Sequence, residues 1–359
     1  METRARASSS KRDRSVEVAV ASSKRKDHVT PAGEAREARL MAARGGDARE
    51  DKHSEMLMDE MAPEEHAMDA NMYRKNWTRS FGHTIGDFEE ATRIPPMRFT
   101  HVSPASSGAH KSHSLQIFSV KVAELKGGAQ WPVHVFGTVA LRDVVDLRRI
   151  VIFNRERDSS QILTPMDRSL TLTGPTRAVM FLEYVNFEVE LKIKGPTESE
   201  DQDMSYLIVP FGHDHPRYSC LRRRAFNGNL CMLEFTYGHL PFSVEATISV
   251  QVIHGSWHGF GGEIFACTAS IPEEVMLLDS GDEEMPVTDG KIDLSRKVVS
   301  VEHKGKLKVF AKAWSGHRGN SVVMKEKEFT PKEAGSSHGY LNVGFCRMKV
   351  TVAWSLMAV

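Results

Sequence analysis

The chain has 359 residues, with 47 Lys and Arg balanced by 47 Asp and Glu. That length holds roughly two domains and a sizeable buried core. The charge balance excludes the basic excess of a dedicated nucleic-acid binder, and no run of about 18 apolar residues offers a membrane-spanning helix.

No aromatic residue precedes Tyr73. Residues 1–75 are mostly Ala, Arg, Glu, Ser, Lys and Met in blocks of charge. Such a segment buries too little apolar surface to offset its ordering entropy, so a disordered charged tail is expected there. Within it, residues 34–44 combine strong helix formers before Gly45-Gly46, which suits a transient helix. Lys11-Arg12 and Lys24-Arg25-Lys26 form two basic clusters that resemble a bipartite nuclear-import signal. Glu17 interrupts the only apolar stretch near the start, so no secretory signal is read. Cys220, Cys231, Cys267 and Cys346 are too scattered for a disulfide framework and form no Cys-x-x-Cys pair. A cytoplasmic or nuclear location, or both, is expected.

Residues 76–113 read as a transition. Trp77, Phe81 and Phe88 bring in aromatics, and Ile94-Pro95-Pro96-Met97 is extended because proline fixes its own φ and restricts its predecessor. Residues 103–108 read as a linker. From residue 114 the pattern changes to short strands at 115–122, 133–141, 149–153, 169–173, 178–182 and 187–194. The last has a clean period of two, with Phe187, Val189, Leu191 and Ile193 on one face and charges on the other. That is the pattern of a half-solvated antiparallel strand. Further strands are read at 244–253, 263–270, 275–278, 291–294, 297–301, 307–313 and 345–355. No long segment with helical periodicity follows residue 114. The class is all-β, an antiparallel β-sandwich.

An internal repeat runs through these strands. Val120-Lys121-Val122 matches Val250-Gln251-Val252. Val135-Phe136 matches Ile264-Phe265, and Thr138-Val139-Ala140 matches Cys267-Thr268-Ala269. Leu170-Thr171-Leu172-Thr173 matches Ile292-Asp293-Leu294-Ser295, and residues 188–192 match 308–312. The sandwich is therefore read as two tandem related β units, about 114–195 and 244–359, joined by 196–243.

Several strings carry a resemblance. They include 115–122, Trp131-Pro132, Arg142-Asp143, Ile152-Phe153-Asn154-Arg155, 172–178, 187–191, Leu278-Asp279-Ser280-Gly281-Asp282-Glu283, Phe329-Thr330-Pro331 and Val343-Gly344-Phe345-Cys346. Over about residues 97–357 the chain resembles the cereal domain-of-unknown-function family numbered 6598. The resemblance implies a grass protein with no established activity. It also implies an alternative role as a defence module, because similar domains follow ribosome-inactivating rRNA N-glycosidase domains in some grass proteins. The Glu-Ala-Ala-Arg motif of that glycosidase is incomplete here. Its nearest fragments are Glu34-Ala35-Arg36 and Glu90-Ala91-Thr92-Arg93, and only Tyr73 stands nearby as an adenine-stacking candidate.

Other clusters bear on chemistry. His213-Asp214-His215 has metal-ligand character but reads as a polar turn before Pro216. The Gly-rich stretch 253–262, with His254, Trp257 and His258, reads as a hairpin connection. Asp143 with Asp146, residues 198–203 and residues 279–284 are acidic loops, and they raise a second alternative, a calcium-dependent membrane-binding sandwich. Arg217, Arg222, Arg223 and Arg224, near Tyr218 and Phe226, form a basic patch that reads as surface rather than as a nucleic-acid grip. No Gly-x-Ser-x-Gly, His-Glu-x-x-His or Walker-type loop occurs. The expectation is a non-catalytic binding or scaffold module without catalytic, cofactor or metal residues. Arg142, Asp143, Arg222, Arg223, Trp257 and His258 are the candidates for contact with a protein partner.

Overall fold

The computed structural model describes residues 56–212, 217–316 and 323–359. The expected import signal at Lys11, Arg12, Lys24, Arg25 and Lys26, the transient helix at 34–44 and the His213-Asp214-His215 turn lie outside the described residues.

Strand β1 (Met56–Met58) is followed by helix α1 (Pro63–Ile85) and a short helix α2 (Pro104–Ser107). The first half then supplies β2 (Ser112–Leu125), β3 (Val133–Arg142), β4 (Ile150–Arg155), β5 (Gln161–Leu163), β6 (Val179–Met180), β7 (Tyr184–Ile193), β8 (Gln202–Gly212) and β9 (Cys220–Asn227). The long β10 (Cys231–Gly255) leads into β11 (Phe260–Thr268), β12 (Val275–Asp279), β13 (Val287–Thr288), β14 (Lys291–Ile292) and β15 (Val298–Glu302). The chain closes with β16 (Leu307–Ser315), β17 (Val323–Phe329), β18 (Ser336–Asn342) and β19 (Cys346–Ser355).

Two antiparallel sandwiches result, and β10 belongs to both. Its first half lies between β2 and β9, opposite the sheet β4-β3-β7-β8. These strands share one core, with Leu115, Val139, Phe153, Phe187, Leu207 and Phe235 inside. The second half of β10 lies between β15 and β19, opposite β12-β11-β16-β17. Its core holds Ile248, Ile264, Val299, Val309, Val350 and Trp354. The changeover falls at Pro241-Phe242, where Phe242 takes φ 48° and the pairing with β2 slips between Leu240 and Ser243.

The tandem repeat is real at the level of topology, since both sandwiches place equivalent strands in the same order. Its register holds where Lys121 bridges Ser169 and Gln251 pairs with Lys291. It slides elsewhere. Phe136 lies opposite Lys192, whereas Phe265 lies opposite Phe310, so the matches of β3 with β11 and of β7 with β16 differ by two residues. A slip of two preserves the inward-outward alternation, so the sequence pattern tolerates it.

Four expectations need correction. Residues 196–243 are not a connector, because β8, β9 and the start of β10 complete the first sandwich. Residues 63–75 are not a disordered tail, because they form most of α1. Pro63 sits at the start of α1, and the Glu65 carboxylate accepts a hydrogen bond from Ala62 N at 3.1 Å. The stripe His66, Ala70, Tyr73, Trp77 and Phe81 faces the protein at helical spacing. Residues 76–88 are not a passive transition either, since Trp77 and Phe88 pack with Ala70 and Ile208 of β8. The middle of the outward face of β7 is therefore covered, and Glu188 is only 4% exposed. The 253–262 stretch is not a hairpin, because β10 and β11 belong to different sheets.

Candidate functional site

Of the six residues expected to meet a partner, three are interior. Arg142 is 1% exposed. Its Nε donates to Glu188 Oε1 at 2.5 Å and its Nη2 to the Phe88 carbonyl at 2.8 Å. Its guanidinium lies 4.8 Å from the Trp77 ring and 4.3 Å from the Phe88 ring. Arg149 Nε donates to the other Glu188 oxygen at 2.8 Å. Asp143 is buried and holds both terminal nitrogens of Arg177, at 2.7 and 2.9 Å. Burial works against the Arg177 charge, but the Asp143 and Asp146 carboxylates outweigh it and hold the guanidinium pKa above its usual value. Trp257, 2% exposed, fills the second core.

The other three residues lie apart on the surface. Arg223 donates to Glu273 at 2.8 Å, Arg222 is half-buried on β9, and His258 is 87% exposed beside Glu284 at 3.2 Å. The basic patch is likewise divided. Arg224 stacks over Phe211 and Phe226, at 4.5 and 4.9 Å, while Arg223 turns to Glu273.

The acidic loops do not converge. Asp143 and Asp146 bind Arg177. Asp201 takes the Arg157 guanidinium at 2.9 Å, a hydrogen bond that holds its carboxyl below the usual carboxylate range. Asp279 accepts from Gly281 N and Glu284 from Gly259 N. Among the described residues no three His, Cys, Asp or Glu side chains stand close enough to share a metal ion. The calcium reading finds no ligand set there.

A different place is built like a binding site. In the second half of β10, Val244, Ala246, Ile248 and Val250 point inward, so Glu245, Thr247 and Ser249 face outward. Glu245 is nevertheless buried. Its Oε1 accepts from Met97 N at 2.7 Å and its Oε2 from Ala178 N at 2.8 Å. One carboxylate thus ties the 94–97 strap and the 175–178 loop to β10. Phe99 N adds a bond to Ser355 Oγ on β19 at 3.0 Å. Burial pushes the Glu245 pKa up, against the lowering effect of the two backbone donors. Met97 is held at φ 61°, a left-handed conformation uncommon for a side-chain-bearing residue.

Strap and loop form the walls of an open groove of about 470 Å³. Its floor is the outward face of β10 and β19, with Ser249 opposite Thr351 and Thr247 opposite Ala353. Pro96, Met97 and Leu294 give apolar walls, and Lys297 is the one titratable side chain among the described lining residues. A floor of hydroxyls without an acid–base pair suits binding rather than proton transfer. A second cleft of about 310 Å³ lies where the sandwiches meet, with Arg296 in its wall. The strap was legible as extended chain, and the Thr247-x-Ser249 alternation was visible. That both meet at Glu245 depends on contacts about 150 residues apart.

A family model described as Domain of unknown function (DUF6598) matches residues 114–352. No curated protein matches the chain. Among solved structures, human GIVD cytosolic phospholipase A2 is similar at 9% identity and TM-score 0.23, over 69% of this chain and 33% of that one. The calcium-bound pair of C2 domains of Extended-Synaptotagmin 2 is similar at 7% identity and TM-score 0.22, over 70% of this chain and 100% of that one. This chain thus spans about a third of the phospholipase's length. Likeness at these TM-scores adds no argument to the topology described above.

Proposed function

We propose, on the premise that the chain belongs to the family Domain of unknown function (DUF6598), that it is a non-catalytic binding module whose groove beside Glu245 takes a segment of a partner protein. The observation that carries this reading is the groove itself. Its walls come from the strap and the loop, its floor carries hydroxyls, and a single buried carboxylate holds the parts together. Apolar walls around a few polar groups are the usual composition of a recognition site. Glu90, from the glycosidase-like fragment, is engaged by Arg93 at 2.8 Å and Arg148 at 3.4 Å, which supports reading it as structural. No helix among the described residues is long and apolar enough to cross a membrane. The working location is cytoplasmic or nuclear.

A displayed peptide library selected against the full chain tests the reading. Peptides retained by the wild type are expected to be lost with Ser249→Trp, which fills the groove floor from an exposed position. Equal retention by both proteins would place binding elsewhere. The purified chain is also expected to release no adenine from ribosomes, and measured depurination would overturn the non-catalytic reading.

A further inference from the structure

We infer that the groove beside Glu245 takes an acidic, extended segment of its partner, because the groove floor runs on into a basic strip of the same sheet. The inference rests on the proposed function and adds the chemistry of the partner. The strap is bound to Glu245 of β10 through Met97 and to Ser355 of β19 through Phe99. Glu245 and Ser355 are cross-strand neighbours, so the strap crosses one end of the floor. In the other direction the floor continues along both strands, from Ser249 beside Thr351 to Gln251 beside Lys349.

Gln251 is flanked by two lysines, Lys349 of β19 on one side and Lys291 of β14 on the other. Paired residues share a face, and neighbouring strands are about 4.8 Å apart, so the two lysine backbones stand about 10 Å apart on the outward side. Arg347 lies two residues from Lys349 on β19 and shares that face. Lys291 and Arg347 are exposed and Lys349 is half-buried. The Arg347 guanidinium rests 4.8 Å from the Tyr340 ring of β18, a contact that positions its charge without neutralising it. No Asp or Glu occurs in residues 247–255, 291–292, 336–342 or 346–355, so these strands supply no carboxylate to offset the three cations. Lys297 of the groove wall differs, because Asp293 stands 3.6 Å from it.

An extended segment rises about 3.3 Å per residue, and its alternate side chains point the same way. With an apolar side chain seated among Pro96, Met97 and Leu294, acidic side chains two and four positions away come over Lys349 and Arg347. The hydroxyls of Ser249 and Thr351 lie between and offer hydrogen bonds to the segment's backbone. The walled end suits a narrow chain better than a lipid surface, which approaches flat. A nucleic-acid strand needs open aromatic faces for its bases, and the Tyr340 ring already carries Arg347. Charge complementarity therefore favours a peptide rich in Asp or Glu.

The sequences of displayed peptides retained by the full chain test this inference. They are expected to carry Asp or Glu two and four positions from an apolar residue. A synthetic copy of one, followed by fluorescence anisotropy, should bind about tenfold more weakly to the double variant Lys349→Glu, Arg347→Glu, with circular dichroism confirming retained strand content. Its binding to wild type should also weaken as salt rises from about 0.05 to about 0.5 M. Replacing the acids of the peptide by Lys should restore binding to the double variant. Peptides that need Ser249 but show no acidic bias, or that bind the double variant as well as wild type, would overturn this inference and leave the groove reading standing. Retention indifferent to Ser249→Trp, or no retention, would overturn the groove reading and this inference with it. Charge-dependent binding to phosphatidylserine vesicles or polyuridylate, with no acidic peptide retained, would give the strip to a membrane or a nucleic acid instead.

Discussion

Glu188 stands on the outward face of β7, where period-two reading assigns solvent, yet Arg142, Arg149, Phe88 and α1 enclose it. A buried carboxylate is tolerated when paired charges and hydrogen bonds satisfy it. Here Arg142 takes one oxygen and Arg149 the other. Removing one member of such a set leaves uncompensated charge. Glu188→Gln is expected to cost about 3–5 kcal/mol of stability, measured by urea unfolding; a cost below about 1 kcal/mol would show that the pairing contributes little. Glu245 makes the opposite case, because its charge has backbone donors but desolvation dominates and its pKa is raised from 4.5. The folded state then binds the proton more tightly than the unfolded state. The resulting stability is present below pH 4.5 and falls as pH rises through the folded pKa. Wild type minus Glu245→Gln, compared by urea midpoints upward from pH 4.5, should show that fall. A flat difference would contradict the raised pKa.

At the scale of elements, α1 shows why part of the fold was legible and part was not. Strands beyond residue 114 announced themselves through alternation, because each buries one face and neighbouring side chains point oppositely. The helix carried signals in Pro63-Glu64-Glu65, the His66-Ala70-Tyr73-Trp77-Phe81 stripe and Gly86, yet sequence reading places its residues in a disordered tail and a transition segment. Low apolar content hid it, because His66 and Ala70 read as polar tail until Phe226 of β9 and Ile208 of β8 are known to lie beneath them. The candidate site divided in the same way. Arg142 and Asp143 looked like exposed loop charges, and only the packing of distant strands shows them as interior ties. Trp77 anchors the helix, so Trp77→Ala should free α1 with a loss of about 3–5 kcal/mol in that contact. Trypsin is expected to leave wild type as a fragment that retains Arg74, Lys75 and Arg79, and to cut Trp77→Ala at those residues while the sandwiches stay intact. A wild-type fragment beginning after Ile85 would show that the helix is not held.

At the scale of the molecule, the decisive feature is a strand with two cores. β10 places Leu233, Phe235 and Tyr237 in the first core and Leu240, Val244, Ala246, Ile248 and Val250 in the second. Arg296 adds a second tie. It reaches out of the second sandwich to the carbonyls of Ile117 at 2.6 Å and Gly174 at 2.7 Å. Burial lowers its pKa to about 10, yet those carbonyls hold its donors. If one sandwich unfolded alone, half of β10 would lose its neighbours and Arg296 its acceptors. The two sandwiches should therefore unfold as one cooperative unit. Phe235→Ala, which damages only the first core, is expected to cost about 3–5 kcal/mol. Trp77 and Trp131 pack against the first half, so in a background with both replaced by Phe the remaining Trp257, Trp314 and Trp354 report on the second sandwich. Their fluorescence midpoint in urea should nevertheless move down together with the circular dichroism midpoint. A fluorescence transition that stayed at the midpoint of that background would mean that β10 connects the sandwiches without coupling them.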